Sequence, residues 1–95
     1  MRIVWRESAL ADVERAIGYI ALESPRSAEQ QLSRIEHHVQ VLVDHPRMGR
    51  VGRVTGTREL VVPRTPFVIV YSLGEDVELI RILHGAQQWP PEAEA

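Results

Sequence analysis

The chain predicts an α+β fold: an N-terminal helical hairpin packed on a small, mainly antiparallel, four-stranded sheet. Three observations carry that prediction. Between Arg58 and Trp89 lie three runs rich in Val, Ile and Leu, punctuated by Pro63-Arg64-Thr65-Pro66 and Gly74-Glu75-Asp76. Such runs bounded by proline and glycine are strand signals. Their connections are too short for a crossover helix, so neighbouring strands must be antiparallel. Upstream, apolar residues recur at helical spacing in two successive stretches. With 95 residues there is room for one domain, 1–95, and no second core.

Taken in order, Arg2 to Arg6 alternates as a short strand that joins the meander. Ser8 offers an N-cap, and Leu10, Val13, Ile17 and Ile20 then form one apolar stripe of a helix over 9–23, with Asp12, Glu14 and Arg15 on or near the opposite face. Gly18 inside that helix costs about 1 kcal/mol relative to alanine. Ser24-Pro25 restarts the chain: Ser24 as N-cap, Pro25 at the first helical position, and Ser27 with Gln30 as a competing capping box. Ala28, Leu32, Ile35, Val39 and Leu42 repeat at four, three, four and three, the strongest periodicity in the chain. Pro46 disfavours helix at His45 and ends this second helix near Asp44. The two helices form an αα-hairpin whose stripes need the sheet for burial. Residues 45–57 lack periodicity and hold three glycines, which reads as a loop. The tail 86–95, ending Pro90-Pro91-Glu92-Ala93-Glu94-Ala95, is expected to fray.

The strands 66–73 and 77–84 are apolar on both faces. Phe67, Ile69, Tyr71 and Leu73 point one way and Val68 and Val70 the other; Ile80 and Ile82 alternate with Leu79, Arg81 and Leu83. A helical hairpin covers one face only. The second face, with Val68, Val70, Leu79, Arg81 and Leu83, is therefore expected to take a partner. The alternative is that loop 45–57 or the tail folds over it.

Composition excludes several classes. The hydrophobic fraction of 44% and charged fraction of 25% are those of an ordinary globule, and the absence of cysteine rules out disulfides and thiolate zinc sites. No segment approaches the roughly 20 apolar residues of a membrane span. No signal peptide is evident near the start, so the expected compartment is the cytoplasm. The net charge of −2 conceals an uneven distribution: residues 47–64 carry Arg47, Arg50, Arg53, Arg58 and Arg64 against Glu59 alone. That patch could meet phosphates or an acidic protein segment, or be a solvated connector. His37, His38, His45 and His84 offer no helical metal-site spacing, and neither a metal nor a cofactor is expected. One group of polar residues remains: Arg58, Arg64, Tyr71, Arg81, His84, Gln87 and Trp89. Arginine can stabilise a phosphate, and histidine or tyrosine can move a proton. Each also has a structural role open to it. Tyr71 suits a core, His84 a strand terminator, and Arg81 a carboxylate partner.

The succession of strand, helical hairpin, Pro46-Arg47-Met48-Gly49-Arg50 loop and meander resembles the ParE/RelE superfamily of toxins from type II toxin–antitoxin modules. The similarity is most specific in Gly56-Thr57-Arg58-Glu59-Leu60 and in the run from Arg81 to Pro90. It implies a small toxin neutralised by a cognate antitoxin. RelE-like members cleave mRNA on the ribosome with basic residues on the central strands and an Arg and a Tyr near the C-terminus. The corresponding positions here are Glu59, Val61 and Val68, with Gln87 and Trp89 near the end, and an acid and two aliphatics cannot hold a scissile phosphate. ParE-like members lack that set and are described as poisons of DNA gyrase, which is the nearer branch. The resemblance thus implies an antitoxin on the free sheet face (Val68, Val70, Leu79, Arg81, Leu83) and the hairpin. Gyrase would be engaged through Arg47, Arg50, Arg53, Arg58, Arg64, His84, Gln87, Gln88 and Trp89, with no specific DNA binding by the toxin alone. The alternatives are an mRNA endonuclease built from Arg58, Arg64, Arg81 and His84, and a decayed, non-toxic antitoxin-binding module.

Overall fold

Seven elements follow the chain in the computed structural model, which describes residues 1–85 and 87–91. They are β1 (Ile3–Trp5), α1 (Glu7–Glu23), α2 (Pro25–Asp44), β2 (Arg50–Val51), β3 (Arg58–Val61), β4 (Phe67–Leu73) and β5 (Val77–His84). The sheet order is β1-β5-β4-β3-β2, with β1 parallel to β5 and every other pair antiparallel. The α+β class and the hairpin-on-sheet layering are as the sequence predicts. The sheet has five strands rather than four, because β2 forms inside the expected loop 45–57. Two residues are too few to show a period of two, so pattern alone could not reveal it. Of the tail expected to fray, Ala86 and residues 92–95 lie outside the described residues.

Ser24 caps α2 as expected, its Oγ accepting from the Ser27 N–H at 3.1 Å, with Pro25 following at the first helical position. Ala28, Ile35, Val39 and Leu42 of α2 are buried. The start of α1 differs from the expectation. Its N-cap is Arg6, which makes no side-chain cap, while the Ser8 hydroxyl donates to the Ile80 carbonyl at 2.6 Å. Val13, Ile17 and Ile20 of the expected stripe pack against the core, but the buried face is rotated toward Ala9 and Asp12. Ala9 is fully buried and Asp12 nearly so, whereas Leu10 is 45% exposed. The cause is sheet topology. Strand β1 pairs only with Val77–Leu79, leaving the rest of the β5 edge open, and α1 runs along it. An open edge presents unpaired backbone groups. Ser8 satisfies the Ile80 carbonyl, and Asp12 Oδ2 accepts the Ile82 N–H at 2.9 Å.

The main core lies between the hairpin and one sheet face. Ala9, Ile35, Val39 and Leu42 meet Leu60, Phe67, Ile69, Tyr71, Val77, Leu79 and Ile82 there. The position of Leu79 corrects the simple alternation. Val70 pairs with Arg81 but Tyr71 pairs with Leu79, so Ile80 is the extra residue of a β-bulge. The bulge resets the phase, and Leu79 joins Ile82 under the helices with no exposed surface. Leu79 therefore does not belong to the second face. Among the described residues no helix is long and apolar enough to cross a membrane.

Candidate functional site

The second sheet face was expected to stand open, and it does not. Val68, Val70 and Leu83 form a small cluster there with 7%, 0% and 1% of their surface exposed, and Ile80 and Trp89 pack against it. The tail thus folds over the valines, which removes the water-exposed patch on which the partner expectation rested. Arg81 fixes this cover from the side. Its Nε and Nη2 donate to the two Asp12 oxygens at 2.7 and 3.0 Å, and its guanidinium carbon lies 5.5 Å from the Trp89 ring centre. The bidentate bonds from Asp12 raise the Arg81 pKa above its usual value against the opposing effect of burial. Arg81 is therefore a strut joining α1 to the tail.

Beside the valines, β3 turns Glu59 onto the same face, and its side chain is fully buried. Arg50 Nη2 donates to Glu59 Oε1 at 3.1 Å. Arg53 Nη2 reaches Oε1 at 3.0 Å, and the Arg53 backbone N–H reaches Oε2 at 2.8 Å. Burial alone would push this carboxyl up, but the donors from Arg53 and Arg50 more than offset it and bring the pKa from 4.5 down to about 2. Glu59 is the reason β2 exists at a fixed place: it collects two loop arginines and a loop amide, and the hairpin closes with Gly52 N–H to Thr57 O at 2.8 Å.

The other loop arginines have different tasks. Arg58 lies opposite Tyr71 and donates from Nη1 to the Gly49 carbonyl at 2.7 Å. The Tyr71 hydroxyl donates to the Pro46 carbonyl and accepts from the Gly49 N–H, both at 2.8 Å. A Cβ at Gly49 would lie 2.6 Å from that hydroxyl, so only glycine fits. Burial raises the Tyr71 pKa, opposed by the Gly49 amide and the charge of Arg58. Arg64 sits in the turn between β3 and β4, closed by Thr65 N–H to Val62 O at 3.3 Å. Its φ of 64° is in the left-handed region, an unusual place for an arginine, and its side chain is exposed. Arg34 of α2 donates to the Arg64 carbonyl at 3.4 Å.

The four residues that an RNA-cleaving site would need are not gathered. Arg58 pairs with Tyr71 at one end of β4, and His84 pairs with Phe67 at the other. Four residues of strand separate them, roughly 13 Å. Arg64 belongs to the His84 end, and Arg81 is held by Asp12. The His84 backbone N–H donates to Gln87 Oε1 at 3.3 Å, and its ring stands edge-on to Phe67 at 6.3 Å. Among the described residues no three His, Asp or Glu side chains form a group able to hold a metal ion.

Sequence reasoning missed a groove of about 480 Å³ between α1, α2 and the far end of the sheet. Ala16, Ile20, Phe67 and Ile82 line it together with Asp12, Arg15 and Tyr19. Asp12 had been assigned to solvent. Tyr19 at the groove wall is 73% exposed, which the apolar periodicity of α1 does not reveal.

Comparison with known proteins agrees with this architecture. The family model described as the ParE toxin of the type II toxin–antitoxin system parDE matches residues 3–89. A protein of Sinorhizobium fredii (strain NBRC 101917 / NGR234), Y4kP, provisionally named a toxin, is 38% identical over 89 residues, covering 94% of this chain and 93% of its own. A solved structure described as the chromosomal ParDE TA system from P. aeruginosa superposes with a TM-score of 0.77 at 28% identity, over 88% of this chain and 95% of that one.

Proposed function

The chain belongs to the ParE toxin family of type II toxin–antitoxin systems, and from that premise we propose that it is a growth inhibitor that poisons DNA gyrase by protein–protein contact while its cognate antitoxin holds it silent. A ParDE-type toxin implies an antitoxin partner. Gyrase as the target follows from the ParE-like branch, whose members are described as acting on it.

The observation that carries the reading is Glu59. At a central strand position where an RNA-cleaving relative would present a cation to phosphate, this chain holds a buried carboxylate with a pKa of about 2. A buried carboxylate saturated by its own donors supplies no cation to stabilise a scissile phosphate's added charge. Arg50 and Arg53 are turned toward that carboxylate with their outer edges still exposed, and Arg81 is held by Asp12. What faces outward is suited to docking: Arg47 and Arg64, exposed at opposite ends of β3, and His84, Gln87 and Gln88. These, with the outer edges of Arg50, Arg53 and Arg58, are the proposed target contacts.

The test is direct. Purified chain is added to gyrase, ATP and plasmid, and supercoiling and trapped cleavage complexes are measured. Lost supercoiling with accumulated linear DNA is expected. Gyrase unaffected at stoichiometric excess of the chain would show that the target is something else.

A further inference from the structure

We propose that the β2–β3 hairpin enters a groove of duplex DNA and grips the phosphates on both of its sides without reading sequence. This rests on the gyrase reading and adds to its protein contacts: part of the surface assigned to the target meets the DNA that the enzyme holds. The observation that carries it is where the arginines stand. In the sequence Arg47, Arg50, Arg53 and Arg58 form one basic patch, but strand register divides them between the two flanks of a sheet edge. Arg50 pairs with Glu59 and Glu59 with Val70, so Arg50 lies on the flank of the covered valines. Arg53 joins it there through its bond to Glu59. Arg58 pairs with Val51 and with Tyr71, a member of the core beneath the helices, so it lies on the opposite flank. Its Nη1 also reaches the Arg47 carbonyl at 3.3 Å, which sets Arg47 beside it.

The hairpin is open to approach and fixed in shape. Strand β2 is the last of the sheet, and Val51 on it is 78% exposed. The turn is closed by Gly52 N–H to Thr57 O at 2.8 Å and by the Thr57 hydroxyl to the Val54 carbonyl at 2.6 Å. Gly56, with φ of 82°, takes the left-handed position that the turn requires. A ribbon already ordered loses little freedom on docking. The major groove of B-form DNA is about 12 Å wide and admits a two-stranded β-ribbon. A sheet with its side chains is on the order of 10 Å thick, so cations on its two faces meet the two walls of such a groove.

Charge selects the occupant. Between residues 47 and 59 four arginines face one carboxylate, an excess of three positive charges in a chain whose net charge is −2. The rest of the chain is therefore net negative, which favours approach by the hairpin over approach by any other side. Glu59 does not cancel what faces out, because the Arg50 and Arg53 side chains remain 63% and 45% exposed. Arg58 bonds neutral carbonyls, and the Arg47 side chain has no partner among the described residues, so neither charge is offset by a carboxylate. An acidic protein segment would meet one flank and leave the cations of the other unmatched. Two phosphate strands with a groove between them meet both, and planar guanidinium forks suit phosphate oxygens. Duplex RNA is disfavoured, since its A-form major groove is too narrow for the ribbon.

The experiment measures binding of the purified chain to a short labelled DNA duplex by fluorescence anisotropy. A Kd on the order of 10 μM is expected at low salt, the same for unrelated sequences, and three neutralised phosphates should weaken it roughly fortyfold between 50 and 200 mM salt. Arg50→Gln and Arg58→Gln, one on each flank, should each cost about three- to fivefold and lower the salt slope by about one. Arg47→Gln, which removes no bond of the fold, repeats the second test if Arg58→Gln misfolds. Arg26→Gln removes the same charge from the exposed start of α2 and should leave binding unchanged; an equal loss there would reduce the effect to net charge and overturn the proposal. Polyglutamate bound as tightly as DNA would assign the hairpin to an acidic protein segment and equally overturn it. So would duplex RNA bound as tightly as DNA, an effect confined to one flank, or no DNA binding at low salt. The two readings separate cleanly. A chain that binds DNA in this manner but leaves gyrase unaffected loses the target and keeps the groove contact. A chain whose Arg50→Gln and Arg58→Gln variants trap cleavage complexes as well as the wild type keeps the target and loses the groove contact.

Discussion

The two faces of one sheet are closed by different physics. Under the helices, Ile35, Leu42, Ile69, Tyr71 and Leu79 interlock with virtually no exposure, and shape and volume hold them. On the opposite face, among the described residues, only Val68, Val70 and Leu83 are apolar and buried; a tail tryptophan covers them, and a carboxylate with two arginines closes the remainder. The first face has a redundant lid of two helices. The second depends on single side chains, each of which can be removed. Trp89 even leaves its indole N–H buried without an acceptor, a cost that packing must outweigh. The difference teaches that a thin domain can seal a face with charge and one ring where it lacks a third layer.

Removing volume from the helix face should have the largest effect. Ile69→Ala is expected to destabilise by about 3–4 kcal/mol in urea unfolding, because transfer free energy and a residual cavity both count in a fully packed site. If Val70→Ala cost as much, the two faces would not differ as described.

Next comes the charge cluster. Glu59 is lowered from 4.5 to about 2 in the fold, so its ionised form is the one that folding favours. The stabilisation is then fully present above about pH 4.5, and it is lost as pH falls through about 2. A shift of that size corresponds to about 3 kcal/mol. Glu59→Gln should lose that amount at pH 7. Its stability curve between pH 5 and 2 should be flatter than that of the wild type, although Asp76 and Glu78, lowered mainly by their bonds to Arg2 and Arg6, keep some acid dependence. Parallel curves would mean that Glu59 is not ionised in the fold.

The smallest change concerns the ring. Trp89→Ala should cost about 1–2 kcal/mol, since it uncovers part of a three-residue cluster and ends one cation–π contact. A hydrophobic dye should bind the variant more than the wild type. A neutral result in both measurements would place the cover of the valines elsewhere.

Much of this was readable from residue order, and the failures have identifiable causes. The α2 helix was legible from its cap, its apolar repeat and Pro46, since all three signals are local. Tyr71 was legible as core. The Ile80 bulge was not, because alternation looks the same until a register slip is seen against the partner strand. Asp12 was misassigned because nothing in its neighbours shows that β1 is too short to cover β5. The site suffered more than the fold. Arg50, Arg53 and Glu59 read as a free basic patch with one stray acid, and they are one ion cluster.

By itself the sequence determined what is set by short-range chemistry: two amphipathic helices, their caps and breaks, a meander with short turns, and membership in a family through Gly56–Leu60 and Arg81–Pro90. Tertiary structure decided which charges remain available and which face is open. Those are properties of pairing across long separations: Asp12 with Arg81, Val70 with Arg81, Trp89 over the cluster of Val68, Val70 and Leu83. A side chain's partner over such distances depends on topology and register, and neither is encoded in its neighbours.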